Sequence, residues 1–151
     1  MTPVPRDPGR RIRGETDADG VGLVSQYLNI RESHLDGCVL TRLGGEMDVA
    51  AAAEGRAFLL AALGDGQGRL VVDMTEVTFI DASGLGVLTF VAKRAAQQGG
   101  WLRLVGANPM LRRILSITRL SALLPVYDTV HAASAVAPAA AVSRPRQSSD
   151  R

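Results

Sequence analysis

From about residue 28 to residue 136, short runs of strand-type hydrophobicity alternate with longer stretches of helical spacing. That alternation is the pattern of an α/β or α+β layered domain. Leu28 to Arg31 and Cys38 to Gly44 read as strands joined through Asp36-Gly37, a pair that favours a tight hairpin, with Gly44-Gly45 ending the second. Asp48 precedes Val49 and a run of alanines, so it reads as the cap of a helix extending to Leu63. Ala53, Ala57 and Leu60 fall on its apolar face and Gly64 supplies a left-handed stop. Leu70-Val71-Val72 is too short for a helix and too apolar for an edge, which predicts a buried central strand closed by Asp73. A connection from Met74 to Ile80 leads to a helix marked by Leu85, Leu88, Ala92 and Ala95 and ended by Gly99-Gly100. Trp101 to Val105 is the next strand. Asn108-Pro109 then places a cap and a first-turn proline before a helix through Met110, Leu111, Ile114 and Leu115. A short strand at Val126-Tyr127 and a helix from Asp128 or Thr129 complete the pattern.

Residues 1–26 and 137–151 lack apolar periodicity and are rich in Pro, Gly, Ser, Ala and Arg. They are expected to be disordered tails around one domain at 27–136. With 46% hydrophobic but only 4% aromatic residues, the core must be aliphatic, and stacking platforms for nucleic acid are disfavoured. The basic pI of about 9.2 points to phosphate-seeking chemistry until the charges are placed. Leu28 to Val136 holds ten basic and ten acidic residues, and the net charge of +2 comes entirely from Arg144, Arg146 and Arg151 against Asp150. Direct nucleic-acid binding is therefore not expected. The densest apolar runs, Ala57 to Leu63 and Leu85 to Ala92, fall far short of a membrane span. A single cysteine, Cys38, and the lack of a signal-type apolar run at the N-terminus favour a reducing cytoplasm.

The most informative segment is Phe79-Ile80-Asp81-Ala82-Ser83-Gly84-Leu85-Gly86. It sets the Ser83 hydroxyl at or just inside a helix N-terminus, where unpaired amides and the positive end of the helix dipole favour an anion. Asp81 lies two residues before it, either as the cap or as a flanking charge, and Asp48 joins them if both helices start on the same sheet edge. A phosphate there adds about −1.5 to −2 of charge beside carboxylates, a large local change in potential.

Gly45-Glu46-Met47-Asp48 before an Ala-rich helix, Leu70-Val71-Val72-Asp73, and Phe79 through Leu88 stand in an order that resembles a STAS domain of the anti-sigma-factor antagonist family, over about Leu28 to Val136. The resemblance implies a mixed sheet of four to five strands with about four helices, mainly on one face. It implies a non-enzymatic cytoplasmic regulator. In the unphosphorylated form such a protein binds a serine-kinase anti-sigma factor and frees a sigma factor, and a serine phosphatase reverses the phosphorylation. By resemblance the phosphoacceptor is Ser83. Asp48, Asp81, Ala82, Gly84, Leu85, Gly86 and Arg112 join it on the partner surface, with Gly84 and Gly86 permitting close backbone approach. No cofactor is implied for this chain itself, since ATP and Mg²⁺ belong to the kinase. A monomer or weak dimer is expected. Ala82 departs from family members that carry a hydroxyl there, which leaves Ser83 as the acceptor. The alternative is a STAS scaffold subunit of a sensory or transport assembly without phospho-control.

Other chemistry finds little support. Gly84-Leu85-Gly86 lacks the third glycine of a dinucleotide fingerprint. A serine hydrolase needs a histidine beside Ser83, and His34 and His131 stand in no catalytic context and without a Gly-x-Ser-x-Gly elbow. Cys38 reads as a small strand hydrophobe, no metal site is indicated, and Arg112 and Arg113 also fit a solvated helix face.

Overall fold

The computed structural model describes residues 22–24 and 28–135. In chain order the elements are β1 (Gly22–Val24), β2 (Leu28–Leu35), β3 (Cys38–Met47), α1 (Ala52–Asp65), β4 (Arg69–Ile80), α2 (Ala82–Gln97), β5 (Trp101–Val105), α3 (Pro109–Ile117), β6 (Val126–Tyr127) and α4 (Val130–Ser134). The strands lie in one sheet in sequence order. The β1/β2 and β2/β3 pairs are antiparallel, and the β3/β4, β4/β5 and β5/β6 pairs are parallel. The sheet is therefore mixed, as expected, with the three-residue β1 added at its edge. β1 falls inside the stretch 1–26 expected as a tail, because a strand of three residues is too short to show a period of two. The rest of that tail, and the tail at 137–151, lie outside the described residues.

Each parallel pair needs a crossover, and α1, α2 and α3 supply the three. They cover one face of the sheet, where Ile30, Leu43, Leu70, Val72, Leu102 and Leu104 pack with Phe58, Leu59 and Leu63 of α1, Leu88 and Val91 of α2, and Leu111 and Leu115 of α3. The short α4 covers part of the other face, where Ala133 meets Cys38, Leu40, Val71, Trp101 and Val105. Because β4 is covered on both sides, its residues 70–72 are apolar without alternation.

Arg103 sits within that second cluster at 3% exposure. It donates to the carbonyls of Ala133 and Ala135 at 3.0 and 2.9 Å and lies 3.7 Å from the centroid of the Trp101 ring. Burial lowers its pKa, and the two carbonyls and the ring offset the desolvation of its charge.

The hairpin turns at Asp36-Gly37, with Leu35 opposite Cys38 and Gly37 at φ 87°. Three boundaries differ from the sequence reading. β2 continues from Arg31 to Leu35, and β3 passes through Gly44-Gly45 to Met47 by register shifts at Arg42/Gly44 and Gly45/Glu46. β4 continues from Asp73 to Ile80, across the expected connection, because β3 remains alongside it to the pair Met47/Ile80. Asp73 closes only the pairing with β5, at Val105.

The face of α1 also differs. Ala53 and Ala57 are exposed, while Phe58, Leu59, Ala62 and Leu63 are buried. Burial favours the phase that removes more apolar area from water. Gly64 stays helical, and the left-handed turn falls at Gln67 (φ 57°) and Gly68 (φ 90°) after the helix ends at Asp65. The boundaries of α2, β5, α3 and β6 agree with the sequence pattern.

Candidate functional site

β3 and β4 end together at the pair Met47/Ile80, so Asp48 and Asp81 leave the sheet side by side, with the Asp81 amide donating to the Met47 carbonyl at 3.4 Å. The two carboxylates do different work. Asp48 Oδ1 accepts from the amides of Ala50 and Ala51 at 3.0 and 3.3 Å, which closes a turn before α1. The cap position of α1 itself is Ala51, without a side-chain bond, so Asp48 shapes the entry to the helix and does not cap it. Asp81 is the cap of α2, and its Oδ1 accepts from the amides of Ser83 and Gly84 at 2.9 and 3.1 Å.

That assignment releases the Ser83 hydroxyl. Ser83 is the second residue of α2 and half-buried, and among the described residues no hydrogen bond engages its hydroxyl. Gly84 is buried, and a Cβ there would lie 2.1 Å from the Met47 carbonyl oxygen and 2.8 Å from Ile80 Cγ1. Gly84 thereby lets the start of α2 lie against the end of β3, whereas a Cβ at Gly86 meets nothing within 4 Å. Ala82 is exposed, and Leu85 is half-buried against the core.

Ser83 opens onto a groove of about 350 Å³ between α1 and α2, lined by Val49, Ala52, Ala53, Arg56, Ser83, Gly86, Val87 and Phe90. The guanidinium of Arg56 lies 5.3 Å from the centroid of the Phe90 ring, and that of Arg94 lies 5.4 Å from it. Val49 and Phe90, both lining the groove, are 75% and 38% exposed. Large apolar side chains left in water at one place mark a surface for another molecule. Sequence reasoning missed Val49, Arg56 and Phe90. Phe90 carried a signal, because it lies out of phase with Leu88, Ala92 and Ala95.

Arg112 is placed elsewhere. Its Nη2 pairs with Asp128 Oδ1 at 3.3 Å and its Nε donates to the Ala107 carbonyl at 3.2 Å. β4 runs seven residues beyond its last pair with β5, about 23 Å of extended chain, and Arg112 does not line the groove at Ser83.

The histidines are also remote from Ser83. His34 is paired with Val39, eight residues back along β3 from Met47, about 26 Å of strand, and its Nε2 contacts Glu32 Oε2 at 2.9 Å. His131 belongs to α4, on the opposite face of the sheet. Neither supplies a base to Ser83, so a Ser-His hydrolase arrangement is not formed. Glu32, His34 and Asp65 bring one ligand atom each within 4.8 Å of one another at that same remote end, a grouping not expected from the sequence. Cys38 is buried, which raises its thiol pKa and fits a packing role.

Comparison with known proteins covers most of the described region. Residues 29–133 match the family model described as the STAS domain. The anti-sigma F factor antagonist of Paenibacillus polymyxa is 31% identical over 102 residues, 67% of this chain and 87% of that protein. The anti-sigma-B factor antagonist of Staphylococcus aureus is 29% identical over 101 residues, 67% of this chain and 94% of that one. A crystal structure of an anti-sigma factor antagonist from Mycobacterium paratuberculosis matches with a TM-score of 0.63 and 25% identity, over 74% of this chain and 95% of that chain.

Proposed function

The chain belongs to the STAS domain family, and from that premise we propose that it is an anti-sigma-factor antagonist controlled by reversible phosphorylation of Ser83. Unphosphorylated, it binds a serine-kinase anti-sigma factor through the surface around Ser83 and so frees a sigma factor for transcription. The observation that carries this reading is the division of labour at the start of α2. Asp81 takes the capping bonds, so the hydroxyl two residues later is available, half-exposed, at the mouth of a groove rimmed by exposed Val49 and Phe90.

The chemistry is that of a substrate hydroxyl and needs no catalytic group of this chain. The Ser83 oxygen attacks the γ-phosphorus of ATP held with Mg²⁺ by the partner kinase. The bond from that phosphorus to the bridging oxygen breaks, ADP leaves, and the hydroxyl proton passes to a base of the partner. A serine phosphatase later directs water at the same phosphorus and restores the hydroxyl. Phosphorylation adds about −1.5 to −2 of charge beside Asp48 and Asp81, on a region from Leu28 to Val136 whose formal charges sum to zero. The added charge and bulk oppose rebinding. This reading places the protein in the cytoplasm, with its partners; no helix among the described residues is long and apolar enough to cross a membrane.

The test is phosphate transfer. Incubated with its kinase partner, ATP and Mg²⁺, the chain should take up one phosphate, mapped to Ser83, and Ser83→Ala should take up none. No uptake by the unsubstituted chain, or equal uptake by Ser83→Ala, overturns the proposal and favours a scaffold role for the same fold.

A further inference from the structure

Resting on the reading of Ser83 as phosphoacceptor, we propose that Arg56 is the residue that receives the phosphate. Once Ser83 is phosphorylated, the Arg56 guanidinium leaves the ring of Phe90 and binds the phosphate across the groove between α1 and α2.

Ser83 and Arg56 come from different helices and line the same groove of about 350 Å³, and Arg56 is the one charged residue among the described residues that line it. Its side chain is exposed, and its contact within the groove is the Phe90 ring at 5.3 Å. An exposed cation–π contact is weak, whereas a guanidinium binds a phosphate through two parallel charge-assisted hydrogen bonds. The exchange therefore favours the phosphate. Arg94, 5.4 Å from the same ring, keeps a cation over Phe90 when Arg56 departs.

The carboxylates set the direction of the phosphate. Asp48 and Asp81 stand together at the ends of β3 and β4 with their Oδ1 atoms bonded to backbone amides. Like charge there turns a Ser83 phosphate toward the groove and Arg56. Unphosphorylated, the groove offers a partner an apolar floor with Arg56 resting on Phe90. Phosphorylated, Arg56 and the phosphate close on each other and the groove is filled, so the signal is read as loss of a binding cavity as well as added charge.

The test installs phosphoserine at position 83 of the full chain during synthesis and follows its ³¹P resonance against pH. Substituting Arg56→Gln should raise the phosphate's second titration midpoint by about half a unit, since a nearby cation favours the dianion, while Arg94→Gln leaves it in place. An unmoved midpoint in Arg56→Gln, or an equal rise in Arg94→Gln, overturns the proposal. A second readout needs no substitution: the Arg56 Nε–H resonance should shift when phosphoserine replaces serine at 83, and a resonance that stays in place also overturns it. Neither readout involves the kinase. A partner that fails to phosphorylate Ser83 would refute the function while this contact could still be measured.

Discussion

The starts of α2 and α3 are built alike and end up doing different things. Each follows a parallel strand, and each is capped by a short side chain in extended backbone, Asp81 for α2 and Asn108 for α3. At α3 the polar groups are taken up within the chain, although Met110 beside them is 69% exposed. Asn108 Oδ1 accepts from the Leu111 amide at 2.8 Å, Pro109 occupies the first turn, and Arg112 is tied to Asp128 and to the Ala107 carbonyl. At α2 the polar group that matters is left over, because the cap uses Asp81 and leaves the Ser83 hydroxyl facing a groove with exposed apolar neighbours. A helix start becomes a candidate site when its capping needs are met by a residue other than the reactive one.

The two helix starts differ most in what they tolerate at Gly84. A Cβ at that position would sit 2.1 Å from the Met47 carbonyl oxygen, and backbone gives way less readily than a side chain. Gly84→Ala should cost about 3 kcal/mol of stability, measured by urea unfolding, and should displace the start of α2 from the end of β3. Gly86→Ala, in open space on the same helix, should be neutral or stabilising by up to about 1 kcal/mol. A gain at Gly84→Ala equal to that at Gly86→Ala would show that helix propensity, and not the contact with β3, decides the effect.

Next in size is the effect of charge on binding. Ser83→Asp should weaken the partner complex at least a hundredfold, about 2.7 kcal/mol, by isothermal titration, with an unchanged far-ultraviolet circular dichroism spectrum. An unchanged affinity would remove charge from the explanation. The caps come third. Asp81→Ala removes the acceptor for two amides and should cost about 1–2 kcal/mol, against about 1 kcal/mol for Asn108→Ala at the sister helix.

Much of this site was legible in the sequence because it is written in local chemistry. Asp81 two residues before Ser83, a glycine after it and an apolar helix phase beyond are short-range signals, and in the structure Asp81 caps α2 while the others lie on it. What could not be read depends on packing between segments. The phase of α1 is not legible, because its alanines satisfy several helical faces, and only packing against the sheet and α2 selects the one holding Phe58, Leu59 and Leu63. The second half of β4, beyond Asp73, is bordered by β3 alone and carries Thr75, Glu76 and Thr78 among its apolar residues, which reads as a loop until β3 is seen beside it. The groove itself joins Arg56 and Ser83 across two helices, and no spacing along the chain announces that pair.

The smallest expected effect makes the sharpest distinction between the two helix starts. In sequence, Arg112 is a basic residue near a helix N-terminus and qualifies for the partner surface, but in the fold its guanidinium is occupied by Asp128 and the Ala107 carbonyl. The Asp128 pair is exposed, with side chains 47% and 91% accessible, so water screens it and Arg112→Ala should lower stability by no more than about 1 kcal/mol. If α3 is closed on itself, the same substitution should change partner affinity by less than twofold, while Arg56→Ala, within the groove, changes it several-fold. Should Arg112→Ala weaken the complex as much as Arg56→Ala, the partner must cover both helix starts at once. The interface would then extend along the whole edge where the parallel strands end, and Asp128 would have to release Arg112 as the complex forms.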